Sequence, residues 1–116
     1  MSMTIQQYEK LRPIANVSRD GNKLFYTTPN QIAMWRVQTL FTKEPATIEW
    51  LDRLKPDDVL LDVGANVGMY TVYAARQRGV KVYAFEPESQ NFALLVKNIV
   101  INKINERVIP FCAALR

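Results

Sequence analysis

Histidine is absent from this chain of 116 residues, and cysteine occurs once. The commonest general base and the commonest metal ligand are therefore missing. One cysteine adds too few ligands for a zinc site, so no metal is expected. Cys112 cannot close an internal disulfide, and its place in the apolar run Val108–Leu115 marks it as a small core residue. No apolar stretch approaches the roughly 18 residues of a membrane span. The first ten residues lack the apolar centre of a secretion signal. A cytoplasmic protein without membrane contact is expected, in which the sequon Asn16-Val17-Ser18 stays idle. An excess of one charge is lacking too: 15 basic against 11 acidic residues leave +4. No basic cluster is interleaved with aromatics, so no nucleic-acid partner is expected. Internal repeats and low-complexity segments are also missing.

What is present suits one small globular domain, with 48% hydrophobic and 22% charged residues. The chain divides at about Pro56. Residues 1–56 form a hairpin and helical lead-in. Asp20-Gly21-Asn22, between Pro13–Val17 and Lys23–Thr27, is a hairpin turn signal. Thr28-Pro29 reads as a helix start, followed by Ala33, Val37, Leu40 and Phe41 at helical spacing. Glu44-Pro45 repeats that signal ahead of Ile48, Leu51 and Leu54. Trp35 and Trp50 are expected in the core or at a domain contact.

Residues 57–116 read as βαβαβ. Val59–Val63 is apolar except for Asp62, as in a strand buried on both faces. A helix is predicted from about Asn66 to Arg78, closed by Gly79. Lys81–Glu86 is the second strand. Glu88 or Ser89 opens a helix with the stripe Phe92, Leu95, Val96 and Ile99. Arg107–Leu115 is the third strand. Right-handed crossovers give the order 3-2-1. The fold class is thus α/β: a partial doubly wound, Rossmann-like parallel sheet preceded by a hairpin and two helices. In such sheets the first strand has a neighbour on its other side. Here that edge is open. We expect a fragment, truncated after the first βαβαβ half, or an edge covered by the N-terminal segment or by a second copy in a homodimer.

The chemistry concentrates where the first strand turns into its helix. A dinucleotide fingerprint needs glycine at its first, third and sixth positions; here Gly64, Asn66 and Met69 stand there. The run Asp62-Val63-Gly64-Ala65-Asn66-Val67-Gly68 satisfies Asp-x-Gly-x-x-x-Gly instead, the first motif of S-adenosylmethionine-dependent methyltransferases. A strand-end carboxylate such as Asp62 suits the ammonium of that cofactor, and a helix N-terminus suits its carboxylate. Gly64 allows the turn and a close backbone approach. Gly68 is expected to keep the helix near the sheet and cofactor. Asn66 either bonds the cofactor or caps the helix. Glu86 follows Asp62 by 24 residues, near the roughly 20-residue spacing at which an acidic strand end meets ribose hydroxyls. Pro87 stops that strand. The expected cofactor-binding set is Asp62, Gly64, Ala65, Asn66, Val67, Gly68, Glu86 and Pro87. The plainer alternatives are a carboxylate bonded only within its own turn for Asp62 and a solvated charge for Glu86. Glu44 is a further candidate for the methionine end, while Tyr70, Thr71 and Tyr73 read as helix packing.

The stretches Asp62–Thr71 and Val82-Tyr83-Ala84-Phe85-Glu86-Pro87-Glu88, continuing through Asn91–Leu95, Asn98, Asn102 and Ala113-Ala114-Leu115, resemble the FkbM family of methyltransferases. Trp35-Arg36-Val37 and Lys43–Leu51 resemble its lead-in. The resemblance implies a class I methyltransferase fold, S-adenosylmethionine as cofactor, and O-methylation of a hydroxyl on a sugar or secondary metabolite. It also implies that later strands supply most acceptor contacts, so no catalytic base is named. The competing expectation is an inactive binding or scaffold fragment that dimerises through its open strand.

Overall fold

Local signals set most element boundaries in the computed structural model, which describes residues 2–115. Thr4 and Gln7 exchange a capping box that starts α1 (Ile5–Glu9). Strands β1 (Ile14–Arg19) and β2 (Asn22–Thr27) pair antiparallel around Asp20-Gly21. Both turn residues have positive φ, 51° and 77°, as a two-residue hairpin turn of the primed type requires. Helix α2 (Gln31–Gln38) is capped by Asn30, whose side chain accepts from the Ala33 N–H; the expected start at Thr28 is two residues early. Helix α3 (Pro45–Leu51) begins on Glu44-Pro45 as expected.

The sheet contains β3 (Val59–Val63), β4 (Lys81–Phe85) and β5 (Val108–Phe111), all parallel, in the spatial order β3-β4-β5. This is the predicted order. Helix α4 (Met69–Val72) runs into a π-helical turn, Tyr73–Gln77. It starts later than the predicted Asn66, because Gly64, Asn66 and Gly68 all have positive φ and cannot join a right-handed helix. Helix α5 (Ser89–Ile101) is capped by Glu88, which accepts from the Asn91 N–H. The third strand ends at Phe111, short of Leu115. Cys112 therefore lies past the strand and is exposed, not the core residue expected.

Both crossovers step in the same direction, so both helices cover one face of the sheet. Leu60, Val82, Ala84 and Val108 are buried on that face. The opposite face is bare: Val59, Leu61 and Val63 are 56%, 58% and 55% exposed, with Ile109 and Phe111 alongside. The expectation that β3 is buried on both faces is thus corrected. The hairpin packs on the far side of the helices, against α5 and the π-helical turn. Two buried asparagines of α5 stitch it there. Asn102 exchanges hydrogen bonds with the N–H and C=O of Phe25, and Asn98 accepts from the Thr27 N–H while donating to the Val67 carbonyl. The N-terminal segment therefore forms an outer layer and leaves β3 a sheet edge among the described residues. Trp35 and Trp50 are about half exposed, at 47% and 52%, and belong to no core.

Candidate functional site

At its C-terminal end β3 delivers Asp62 into a half-buried position, where the carboxylate accepts a hydrogen bond from the buried Thr71 hydroxyl. Burial pushes the Asp62 carboxyl above its ordinary range, Thr71 works against this, and the nearby Glu86 charge adds to it. The chain then turns sharply. The N–H groups of Gly64 and Ala65 both donate to the Phe85 carbonyl at 2.9 Å, tying the turn to the end of β4.

Glu86 completes that tie. One carboxylate oxygen accepts from the Asn66 N–H at 2.8 Å and the other from the Glu88 N–H at 2.9 Å. The side chain is buried, at 6% exposure, so it is not a solvated charge. It staples the two turns that follow β3 and β4.

The glycines act differently from one another. Around Gly64, at φ +73°, an added Cβ would meet nothing within 4 Å, so its outer side is open to a ligand. At Gly68, at φ +88°, a Cβ would lie 2.6 Å from Leu95 Cδ1. The contact that needs Gly68 is thus with α5.

A cavity of about 190 Å³ opens beside the turn. Asp62, Gly64, Ala65, Asn66 and Val67 line one side; Arg36, Lys43 and Glu44, from α2 and the start of α3, line the other, with Tyr70 of α4 between. The Tyr70 hydroxyl donates to Glu44 at 2.6 Å. Burial, then that bond and the Glu44 charge, push the phenol up to about 12, so Tyr70 stays a neutral donor near pH 7. Asn66 does not cap α4, whose N-cap is Gly68 with no side-chain bond. Its Oδ1 is buried without a partner.

The cavity brings together Asp62, Gly64, Ala65, Asn66 and Val67 from the expected set. Gly68 lies beneath it, Glu86 supports it, and Pro87 sits exposed on the β4 side. Glu44 is present, as considered from sequence. Arg36, Lys43 and Tyr70 were not anticipated as lining residues, although the first two stand in the stretch that resembled the family lead-in. Among the described residues no acidic, cysteine or histidine cluster suits a metal, and no helix is long and apolar enough to cross a membrane.

Residues 30–116 match the TRM5/TYW2 methyltransferase domain. The chain belongs to that family. S-adenosylmethionine is the cofactor of these methyltransferases. The FkbM methyltransferase of 31-O-demethyl-FK506 from Streptomyces tacrolimicus is 46% identical over 56 residues, covering 47% of this chain and 22% of that protein. The hexuronic acid methyltransferase AglP of Haloferax volcanii is 32% identical over 85 residues, 73% of this chain and 34% of its own length. A tRNA (guanine(37)-N(1))-methyltransferase of Batrachochytrium dendrobatidis is 36% identical over 55 residues, 47% of this chain and 12% of that protein. The chain therefore spans about a third or less of these relatives. The fold is that of class I methyltransferases: it superposes on M. jannaschii TYW2, solved with AdoMet, with a TM-score of 0.55 at 22% identity, over 89% of this chain and 44% of that one. The FkbM resemblance thus holds at the level of methyltransferase relatives, within a chain whose family is TRM5/TYW2.

Proposed function

We propose that this chain is the S-adenosylmethionine-binding portion of a methyltransferase whose acceptor is a hydroxyl on a sugar or secondary metabolite. The observation that carries the cofactor half is the cavity at the tip of β3. There a half-buried carboxylate and an open glycine face the same small space. An ammonium group would satisfy Asp62. Ala65 and Val67 supply the wall, and Glu86, anchored by two amides, has lone pairs left for ribose hydroxyls near Pro87. When bound, the cofactor supplies a methyl group on a sulfonium leaving group. The protein's part is alignment and exclusion of water. Titration calorimetry of the chain with S-adenosylmethionine tests this reading, and absence of binding refutes it.

The acceptor half rests on relatives named for 31-O-demethyl-FK506 and hexuronic acid substrates. A second reading, methylation of a tRNA base, is favoured by family membership and by the tRNA methyltransferase relative. That relative removes the expected exclusion of nucleic acid. Methyl transfer from labelled cofactor to tRNA, set against transfer to a uronic-acid glycan, separates the two. Transfer to neither, with cofactor bound, supports the scaffold alternative. The open β3 edge favours a homodimer in this scheme, and the exposed thiol of Cys112 fits a reducing, cytoplasmic setting.

A further inference from the structure

We infer that Arg36 is the counter-charge for the α-carboxylate of the methionine end of S-adenosylmethionine, an assignment that rests on the cofactor reading above. Part of the turn is already engaged within the protein. The N–H groups of Gly64 and Ala65 are engaged by the Phe85 carbonyl, that of Asn66 by Glu86, and that of Gly68 by the Ala65 carbonyl. The Val67 N–H and the first N–H groups of α4 have no partner among the described residues, but they are neutral donors. A charged partner adds what they cannot.

Arg36 is placed to be that partner. It sits in the last turn of α2, is half-buried, and lines the cavity that Asp62 lines from β3. The ion pairs among the described residues are Arg19–Asp52 and Arg53–Glu49, so Arg36 has no carboxylate of its own. Glu44 shares the cavity, but Tyr70 holds its carboxylate. Lys43, the other cation here, is exposed and lies over the Trp35 ring at 4.9 Å. A half-buried guanidinium facing a cavity is favoured when the ligand brings an anion, and its planar fork matches a carboxylate. An α-amino acid carries both charges on one carbon. Asp62 and Arg36, reaching the same space from β3 and α2, match that pair.

The test compares two ligands by calorimetry: S-adenosylhomocysteine, and methylthioadenosine, which lacks the amino-acid end. In Arg36→Met, affinity for S-adenosylhomocysteine should fall about tenfold or more, as expected for loss of a charge-assisted bond. Methylthioadenosine should change by less than about twofold, and Arg36→Lys should recover part of the loss. Unchanged S-adenosylhomocysteine affinity in Arg36→Met overturns the assignment. So does an equal loss for both ligands, which would mark a structural role. A wild-type chain that binds neither ligand overturns the cofactor reading itself, and the assignment falls with it.

Discussion

Replacing Gly68 by alanine isolates the packing of the turn from its ligand chemistry. The backbone at Gly68 has φ +88° and ψ 27°, in the left-handed region. An L-residue there loses about 1–2 kcal/mol. The new methyl would also stand 2.6 Å from Leu95 Cδ1. Leu95 is completely buried, so it cannot swing away without moving its neighbours. Crowding of that kind adds about 1–3 kcal/mol. The sum, about 2–5 kcal/mol, is a large share of the roughly 5–15 kcal/mol that holds a domain folded. Thermal and urea denaturation should show a melting point lower by roughly 10 °C or more. Gly64→Ala is the control, because its φ of +73° carries the same backbone strain with nothing within 4 Å. It should lose only the first increment. Leu95→Ala combined with Gly68→Ala should lose less than the sum of the two single changes, since the contact that crowds the methyl is gone. Equal destabilisation of Gly64→Ala and Gly68→Ala would refute the crowding argument.

Three further outcomes follow from the site and the sheet. Glu86→Ala strips the acceptors from the Asn66 and Glu88 amides, so it should lower stability by about 1–3 kcal/mol as well as weakening S-adenosylmethionine; an unchanged urea midpoint would contradict the staple. Asp62 has its carboxyl raised above 3.8 by burial. Its neutral form is therefore favoured by folding, and that contribution is complete below the unfolded value and lost as pH rises through the folded one. Ammonium binding has the opposite sign: it needs the carboxylate, so S-adenosylmethionine affinity should fall as pH drops through the raised value. Calorimetry across pH should find that slope in the wild type and a flat profile in Asp62→Asn; a flat wild type would exclude Asp62 as the ammonium partner. Sedimentation velocity of the chain should reveal self-association through the bare face and edge of β3, relieved by Leu61→Lys, and a clean monomer at all concentrations would count against it.

The site was legible where one residue type has one physical use. Glycines at 64 and 68, an acid at the strand tip and a second acid after β4 mark a turn and its supports by spacing alone. Their division of labour was not legible. Whether a Cβ at position 68 meets the sheet, a ligand or α5 depends on Leu95, 27 residues away. Whether Glu86 faces solvent depends on two amides that converge only after both strands pair. Arg36 and Tyr70 were missed for a related reason. A charged residue on a short amphipathic helix, and a tyrosine one turn into another, read as surface and packing. Only the approach of α2 to the β3 turn brings them into the lining of one cavity. Conversely, Asn98 and Asn102 are polar positions on an apolar helix, with no sequence signal for their role beyond the family resemblance. They prove to be the hydrogen-bonding surface that receives β2.

The misreading of β3 shows what an apolar run does and does not encode. Val59, Leu61 and Val63 alternate with Leu60 and Asp62, so both faces of the strand carry apolar side chains. That pattern states a requirement for cover on both faces, not its presence. A crossover helix covers the second face only when its crossover steps the other way, because right-handed connections fix the side on which each helix falls. Both crossovers of this chain step from β3 toward β5, and so both helices fall on the face of Leu60. The bare face and the open edge are therefore one consequence of one topology. Any element that pairs with the free side of β3 through a right-handed crossover would bring its helix over Val59, Leu61 and Val63 at the same time. Bare edge and bare face should accordingly be lost together. Amide hydrogen exchange on β3 and the exposure of Leu61, followed in the chain alone and in any assembly that contains it, should change in concert.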